Sequence, residues 1–224
     1  MPTLILHKTP PGWGDFPGKS TTFKFFTTMA KSAITTNMVT GKVRFSYVHV
    51  FEPSAIEPGA VPKYNVQLLI SKDDKATLSK IKQIVDALKA EFAANNLGKI
   101  PTNFKTPLRD GDTDPTKGGD EAYEGVYFMS ASSKSKPGVV KAGKTKGTFI
   151  EITDEDEFYS GCYGLADINF YTFDKAGNKG IACGLNNVLK LEDGDSLAGR
   201  RSAAAAFGDV EITHQGEEEE ENYM

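Results

Sequence analysis

Apolar and polar residues alternate with period two along "VTGKVRFSYVHVF" (39–51) and "KYNVQLLI" (63–70), the pattern of half-buried strands. In the first, Val43, Phe45 and Tyr47 fall on a core-facing side, and Lys42, Arg44 and Ser46 on the other. His49 continues the core-facing alternation and is expected to pack. In the second, Tyr64, Val66, Leu68 and Ile70 face inward, and Lys63, Asn65 and Gln67 outward. From Asp73 to Asn95 the period lengthens. Leu78, Ile81, Val85, Leu88 and Phe92 recur at steps of three and four, one stripe of an amphipathic helix. Ser71, Asp73 and Asp74 are N-cap candidates, and Gly98 is a terminator.

Beyond the helix, residues 99–124 read as a long polar loop and "GVYFMSAS" (125–132) as a strand. A basic, glycine-containing linker follows from Ser133 to Gly147; it holds Lys134, Lys136, Lys141, Lys144 and Lys146 and no acid. "CYGLADINFYTF" (162–173) and "GIACGLNNVLKL" (180–191) are two long strands, and the "DKAGNKG" between them signals a hairpin. Ala166, Ile168, Phe170 and Thr172 form the core-like face of the first. Tyr163, Leu165, Asp167, Asn169, Tyr171 and Phe173 form a face that mixes aromatics with polar groups a core would avoid. The order of elements predicts a mainly β (α+β) fold, an OB-like five-stranded β-barrel with one amphipathic helix. Prolines and glycines make residues 1–38 a flexible N-terminal extension. Residues 39–207 form the domain, with a short helix in "RRSAAAAF", and 208–224 an acidic tail.

Charge sharpens this division. The net charge is -4, but seven acids and no lysine or arginine follow Phe207, so the preceding residues carry about +3. That balance is too weak for a strongly basic nucleic-acid binder; affinity would rest on local patches and stacking. The two cysteines, Cys162 and Cys183, have no metal or redox spacing and are expected to be buried free thiols of a reducing cytoplasm. No stretch approaches the ~20 apolar residues of a membrane helix.

Hydrolytic and redox motifs are absent, and neither a cofactor nor a metal is expected. "DGDTDPTKGGDE" sets Asp110, Asp112, Asp114 and Glu121 at calcium-loop positions, but Pro115 stands where the turn needs glycine, so an acidic surface loop is the better reading. A second acidic cluster, Asp154 to Glu157, lacks a companion base for magnesium chemistry. What remains is aromatics interleaved with bases. Tyr127, Tyr163, Tyr171 and Phe173 offer stacking surfaces and Asn169 a hydrogen-bonding group. Lys42, Arg44, Lys63, Lys134 and Lys136 are the phosphate candidates. A nucleic acid whose bases are free to stack is the expected partner.

"VTGKVRFSYVHVFEP", "PKYNVQLLISKDD", "KTPLRDGD", "EFYSGCYG", "NFYTFDKAGNKGIACGLNNVLKLEDG" and "LAGRRSA" together resemble a tailed-bacteriophage family of OB-fold single-stranded DNA-binding proteins, from about Val39 to Phe207. The resemblance implies sequence-independent binding of single strands in phage replication or recombination, in the cytoplasm of an infected host. The tail, Glu217, Glu218, Glu219, Glu220 and Glu221 with Tyr223 near its tip, is similar to those of other such proteins. About 17 flexible residues span roughly 20–25 Å, enough to reach a groove on a domain of ~15 Å radius of gyration. The tail is therefore expected to mimic DNA and to dock phage or host replication proteins. A homo-oligomer is compatible with the sequence. Three alternatives stay open: an annealing or recombination mediator, a β-barrel interaction or virion protein without DNA affinity, and a metal-dependent nuclease.

Overall fold

Five strands close a barrel in the order β2 (Val43–Ser54), β3 (Lys63–Ser71), β5 (Val126–Ser133), β9 (Asn178–Glu192) and β8 (Tyr163–Lys175), with β8 returning to β2. All neighbours are antiparallel except β5 and β9. The computed structural model describes residues 35–55, 59–175 and 177–197. Most of the expected N-terminal extension, the short helix expected in "RRSAAAAF" and the acidic tail lie outside these residues. β1 (Asn37–Val39) pairs with β8 on the outside of the ring, two residues ahead of the expected start of the domain.

Inward-facing positions fill the barrel. Phe45, Leu68, Ile70, Met129, Ile168 and Phe170 are almost fully buried. On β8 the expected faces hold as far as Phe170: Ala166, Ile168 and Phe170 are buried, whereas Tyr163, Leu165, Asp167 and Asn169 are half-buried; Thr172, expected on the core-like face, is exposed, because beyond Phe170 the hairpin leaves the barrel. The β8–β9 hairpin also forms as expected, turning beside Gly177 in the left-handed region.

The helix α1 runs from Lys75 to Asn95 and buries Thr77, Ile81, Val85, Leu88 and Phe92. Leu78, expected in the stripe, is only partly buried, because Thr77 takes the inner position of the first turn. There the Thr77 hydroxyl accepts from the Gly41 N–H at 2.8 Å, and its own N–H donates to the N-cap Asp74 at 3.0 Å. These bonds tie the helix start to the beginning of β2.

The expected basic linker is not unstructured. It contains β6 (Gly138–Ala142), which lies parallel to β9 and carries β7 (Phe149–Glu151) as a hairpin partner. The loop over 99–124 is also more ordered than its polarity suggests. β4 (Arg109–Asp110) pairs with β5, and a short 3-10 turn (Glu121–Tyr123) drops Tyr123 onto the outer wall of the barrel. Leu69, Tyr123 and Phe128 make a second small core there, with Leu197 packed against it.

Candidate nucleic-acid interface

Strand β2 does not keep its alternation. Tyr47 adopts φ 48, and the pairing with β3 slips between Ser46 and His49. This bulge reverses the faces beyond Ser46. Tyr47, expected in the core, is 54% exposed, and His49, expected to be packed, is exposed as well. A non-glycine residue in the left-handed region is strained, and such strain persists only where surrounding structure enforces it. The one-residue extra length of a bulge re-aims a side chain, here an aromatic ring, outward.

The ring is held from above. Lys117, in the 110–124 loop, sets its ammonium 4.4 Å from the Tyr47 ring centroid and 4.3 Å from that of Tyr123. It also donates to the Tyr47 hydroxyl at 3.1 Å. Desolvation works against the Lys117 charge, but the two tyrosine hydroxyls beside it hold its pKa above the usual lysine value. The Tyr123 hydroxyl, buried, reaches Gln67 Oε1 and lies 3.3 Å from Ser46 Oγ. Tyr47, His49, Ser54, Asn65, Gln67, Lys117 and Ser130 therefore line a shallow depression of about 290 Å³ on the outer face of β2, β3 and β5. It offers a ring, a cation and amide and hydroxyl groups.

The loop that carries Lys117 is clamped by ion pairs. Lys72 bonds Asp110 and Asp112 at 2.6 Å each, and Arg109 bonds Asp114 at 2.5 Å. Hydrogen bonds from Lys72 hold the Asp112 carboxyl below its ordinary range, and Asp110 and Asp112 in turn raise the Lys72 ammonium. Three of the four acids with calcium-loop spacing, Asp110, Asp112 and Asp114, thus serve lysine and arginine. In the second acidic cluster, Glu157 pairs with Lys141 at 2.5 Å.

The expected binding residues fall into separate groups around this face. Lys42 and Arg44 flank the Tyr163 ring, at 4.9 and 5.5 Å from its centroid. Both are also engaged structurally. Lys42 pairs with Glu192, and Arg44 donates to the carbonyls of Gly161 at 3.2 Å and Asp195 at 2.8 Å. Register then runs along the open face: Arg44 opposite Leu69, Ser46 opposite Gln67, His49 opposite Asn65, and Ser54 opposite Lys63. Lys63 stands at the far end, near the exposed Lys134 and Lys136 of the β5–β6 connection; the Lys136 ammonium lies 5.9 Å from the Phe51 ring. Two expected basic groups thus mark the two ends of one face, with Tyr47 and Lys117 between them.

The other expected residues lie apart. Tyr171, 42% exposed, and Phe173 sit toward the hairpin end of β8, about 26 Å along the strand from Tyr163 at ~3.3 Å per residue. Asn169 is placed over Gly184, where an added Cβ would stand 2.4 Å from its Oδ1, so its amide fills a packing role. Tyr127 belongs to the inward parity of β5, at the rim, with the Lys72 ammonium 5.0 Å from its ring. Sequence patterning missed Tyr47, His49 and Lys117; "SYVHV" carries no residue that announces a bulge.

A family model described as the single-stranded DNA-binding protein of Enterobacter phage Enc34 matches residues 36–222. The chain belongs to this family. A protein designated p50 from Acyrthosiphon pisum secondary endosymbiont phage 1 is 30% identical over 186 residues, covering 80% of this chain and 94% of that one. The solved single-stranded DNA-binding protein of bacteriophage Enc34 in complex with single-stranded DNA is 26% identical, with a TM-score of 0.62 over 73% of this chain and 90% of that chain. Its C-terminally truncated form is 25% identical, with a TM-score of 0.60 over 72% and 89%. The OB-like barrel is therefore the fold of the Enc34 family. No helix among the described residues is long and apolar enough to cross a membrane.

Proposed function

We propose that this chain binds single-stranded DNA without sequence preference along the outer face of β2, β3 and β5, with Tyr47 as a stacking platform. The supporting observation is the outward, strained Tyr47 ring held by Lys117, between a basic group at Lys42 and Arg44 and another at Lys63, Lys134 and Lys136. Any base has a π-face, so stacking on a ring tolerates every sequence, and lysines that track phosphates add salt-sensitive affinity. Relatives bearing the name single-stranded DNA-binding protein share the fold over most of the chain.

The role is stoichiometric, not enzymatic: the protein coats and protects single strands during phage replication or recombination in the host cytoplasm. Tyr163, beside Lys42 and Arg44, extends the stacking surface, whereas Tyr171, Phe173, Tyr127 and Asn169 stand apart from it. Glu217 to Glu221 compete with DNA for the basic face when the strand is absent, and the released tail, with Tyr223, docks replication proteins. Incubating labelled single strands and duplex with the protein, with and without magnesium, tests the reading. Retarded, intact single strands are expected; shortened DNA or no retardation would contradict it.

A further inference from the structure

Strand β7 is alone among the described strands in having every residue exposed. The hairpin it forms with β6 is nevertheless well built. At its root Val139 and Ile152 are buried, and the Ile152 N–H donates to the Val139 carbonyl at 2.8 Å. At its tip the Gly143 N–H donates to Thr148 O at 2.8 Å, and Thr148 bonds Thr145 O through both its N–H and its hydroxyl. Between root and tip, Phe149 is 61% and Ile150 48% exposed. Register sets Phe149 opposite Ala142 and Ile150 opposite Lys141, so the two apolar side chains stand on opposite faces of β7, the outer strand beyond β6, which itself pairs with β9. As outermost strand, β7 leaves both side chains in water, where they add little to folding, and an exposed ring beside lysines is a surface on which a base can stack.

Charge indicates what the surface contacts. Residues 134–151 hold five lysines and one glutamate. Lys141 is committed to Glu157, whereas Lys144 and Lys146, at the tip, are exposed and form no ion pair among the described residues. The segment also leaves from the edge of the open face: Ser132 on β5 pairs with Asn65, and the chain then passes the exposed Lys134 and Lys136 before entering β6. Along the chain, lysines thus run from the edge of the Tyr47 face into the hairpin. Addition of a second copy along β7 is disfavoured, because the strand is three residues long and ends in a charge, the features that blunt sheet edges.

We propose that the β6–β7 hairpin is a second contact for single-stranded DNA, in which Phe149 stacks on a base and Lys144 and Lys146 hold the neighbouring phosphates. The hairpin lengthens the strand engaged by the open face, and this proposal rests on the reading that the chain binds single-stranded DNA there. The test is a fluorescence titration of the full chain with oligothymidylates of about 6 and about 20 nucleotides, one near the short end of the ~4–16 nucleotides that one OB fold covers and one beyond them. The variant Phe149→Ala with Lys144→Ala and Lys146→Ala is compared with the unaltered protein, and Lys144→Glu with Lys146→Glu is a second variant that leaves the ribbon's apolar residues in place. The expected result is unchanged affinity for the short oligonucleotide and about tenfold or greater loss for the long one, the scale of one stacked base. The salt slope for the long oligonucleotide is expected to fall by about 1.4, two phosphate contacts at ~0.7 each. Unchanged affinity for the long oligonucleotide in both variants would overturn the proposal. So would a drop in oligomeric state by sedimentation that accounts for the loss, since the hairpin would then join copies of the chain. Failure of the unaltered protein to bind either length would instead remove the underlying reading of the open face.

Discussion

Lys117 and Tyr47, separated by 70 residues in sequence, meet with the lysine ammonium 4.4 Å from the ring centroid and 3.1 Å from the phenolic oxygen. The contact joins a loop held by ion pairs to a strand that bulges, and it fixes the orientation of the one ring the bulge turns outward. Tyr47→Ala is expected to cost about 1–3 kcal/mol of single-stranded DNA binding, measured by titration, with little change in thermal unfolding because the ring is exposed. An equal loss of folding stability would assign the ring to packing instead.

Lys117→Met separates two roles of the lysine. If it orients Tyr47, affinity falls while the salt dependence is retained, and combining Lys117→Met with Tyr47→Ala adds little to the loss from Tyr47→Ala alone. A slope reduced by about 0.7 would show that Lys117 contacts a phosphate. Full additivity would rule out a positioning role.

Arg44 is expected to behave differently from Lys42. Its guanidinium holds two carbonyls, so Arg44→Ala should lower the unfolding temperature as well as DNA affinity. Lys42, exposed and paired with Glu192, should affect mainly the salt slope, by about 0.7. Equal effects of the two substitutions on stability would contradict this division.

The clamp on the 110–124 loop gives a pH dependence. Asp112 accepts from Lys72, the larger influence, and from the Gly125 N–H, and its pKa lies below the ordinary value. A depressed folded-state pKa means that the stabilising contribution is fully present above the unfolded value of about 3.9 and is lost as pH falls through the folded value. The Gly125 amide resonance should therefore hold steady from neutral pH down to about pH 4 and move only below it. Lys72→Met should shift that transition upward. A transition centred above about pH 4 in the unaltered protein would contradict the clamp.

Much of this architecture could be read from pattern. The α1 stripe and the faces of β8 as far as Phe170 follow from periodicity, because each element buries one face against a continuous core, and the β8–β9 turn follows from its glycine. Tyr47 and His49 escaped, since a bulge adds one residue and period-two logic then assigns every later side chain to the wrong face. Tyr123 escaped for another reason: it is a lone aromatic in a polar loop, and its burial depends on Leu69 and Phe128 facing away from the barrel. β6 lies hidden in a lysine-rich segment whose strand character comes from pairing with β9, a contact distant in sequence, and β7 in turn pairs with β6.

The tail lies outside the described residues, and its competition with DNA is tested by deletion. Removing residues 209–224 is expected to tighten binding of single-stranded DNA at low salt, with the difference shrinking as salt rises, because screening weakens both competitors. Equal affinities at low salt would remove self-competition.

The most direct measurement is photocross-linking of bromodeoxyuridine-substituted single-stranded DNA to the full chain, followed by peptide mapping. Adducts on Tyr47 are expected, with further ones on aromatics bordering the open face of β2, β3 and β5. Adducts confined to α1 or to other surfaces, with Tyr47 unmodified under conditions where DNA is bound, would contradict the assignment of that face.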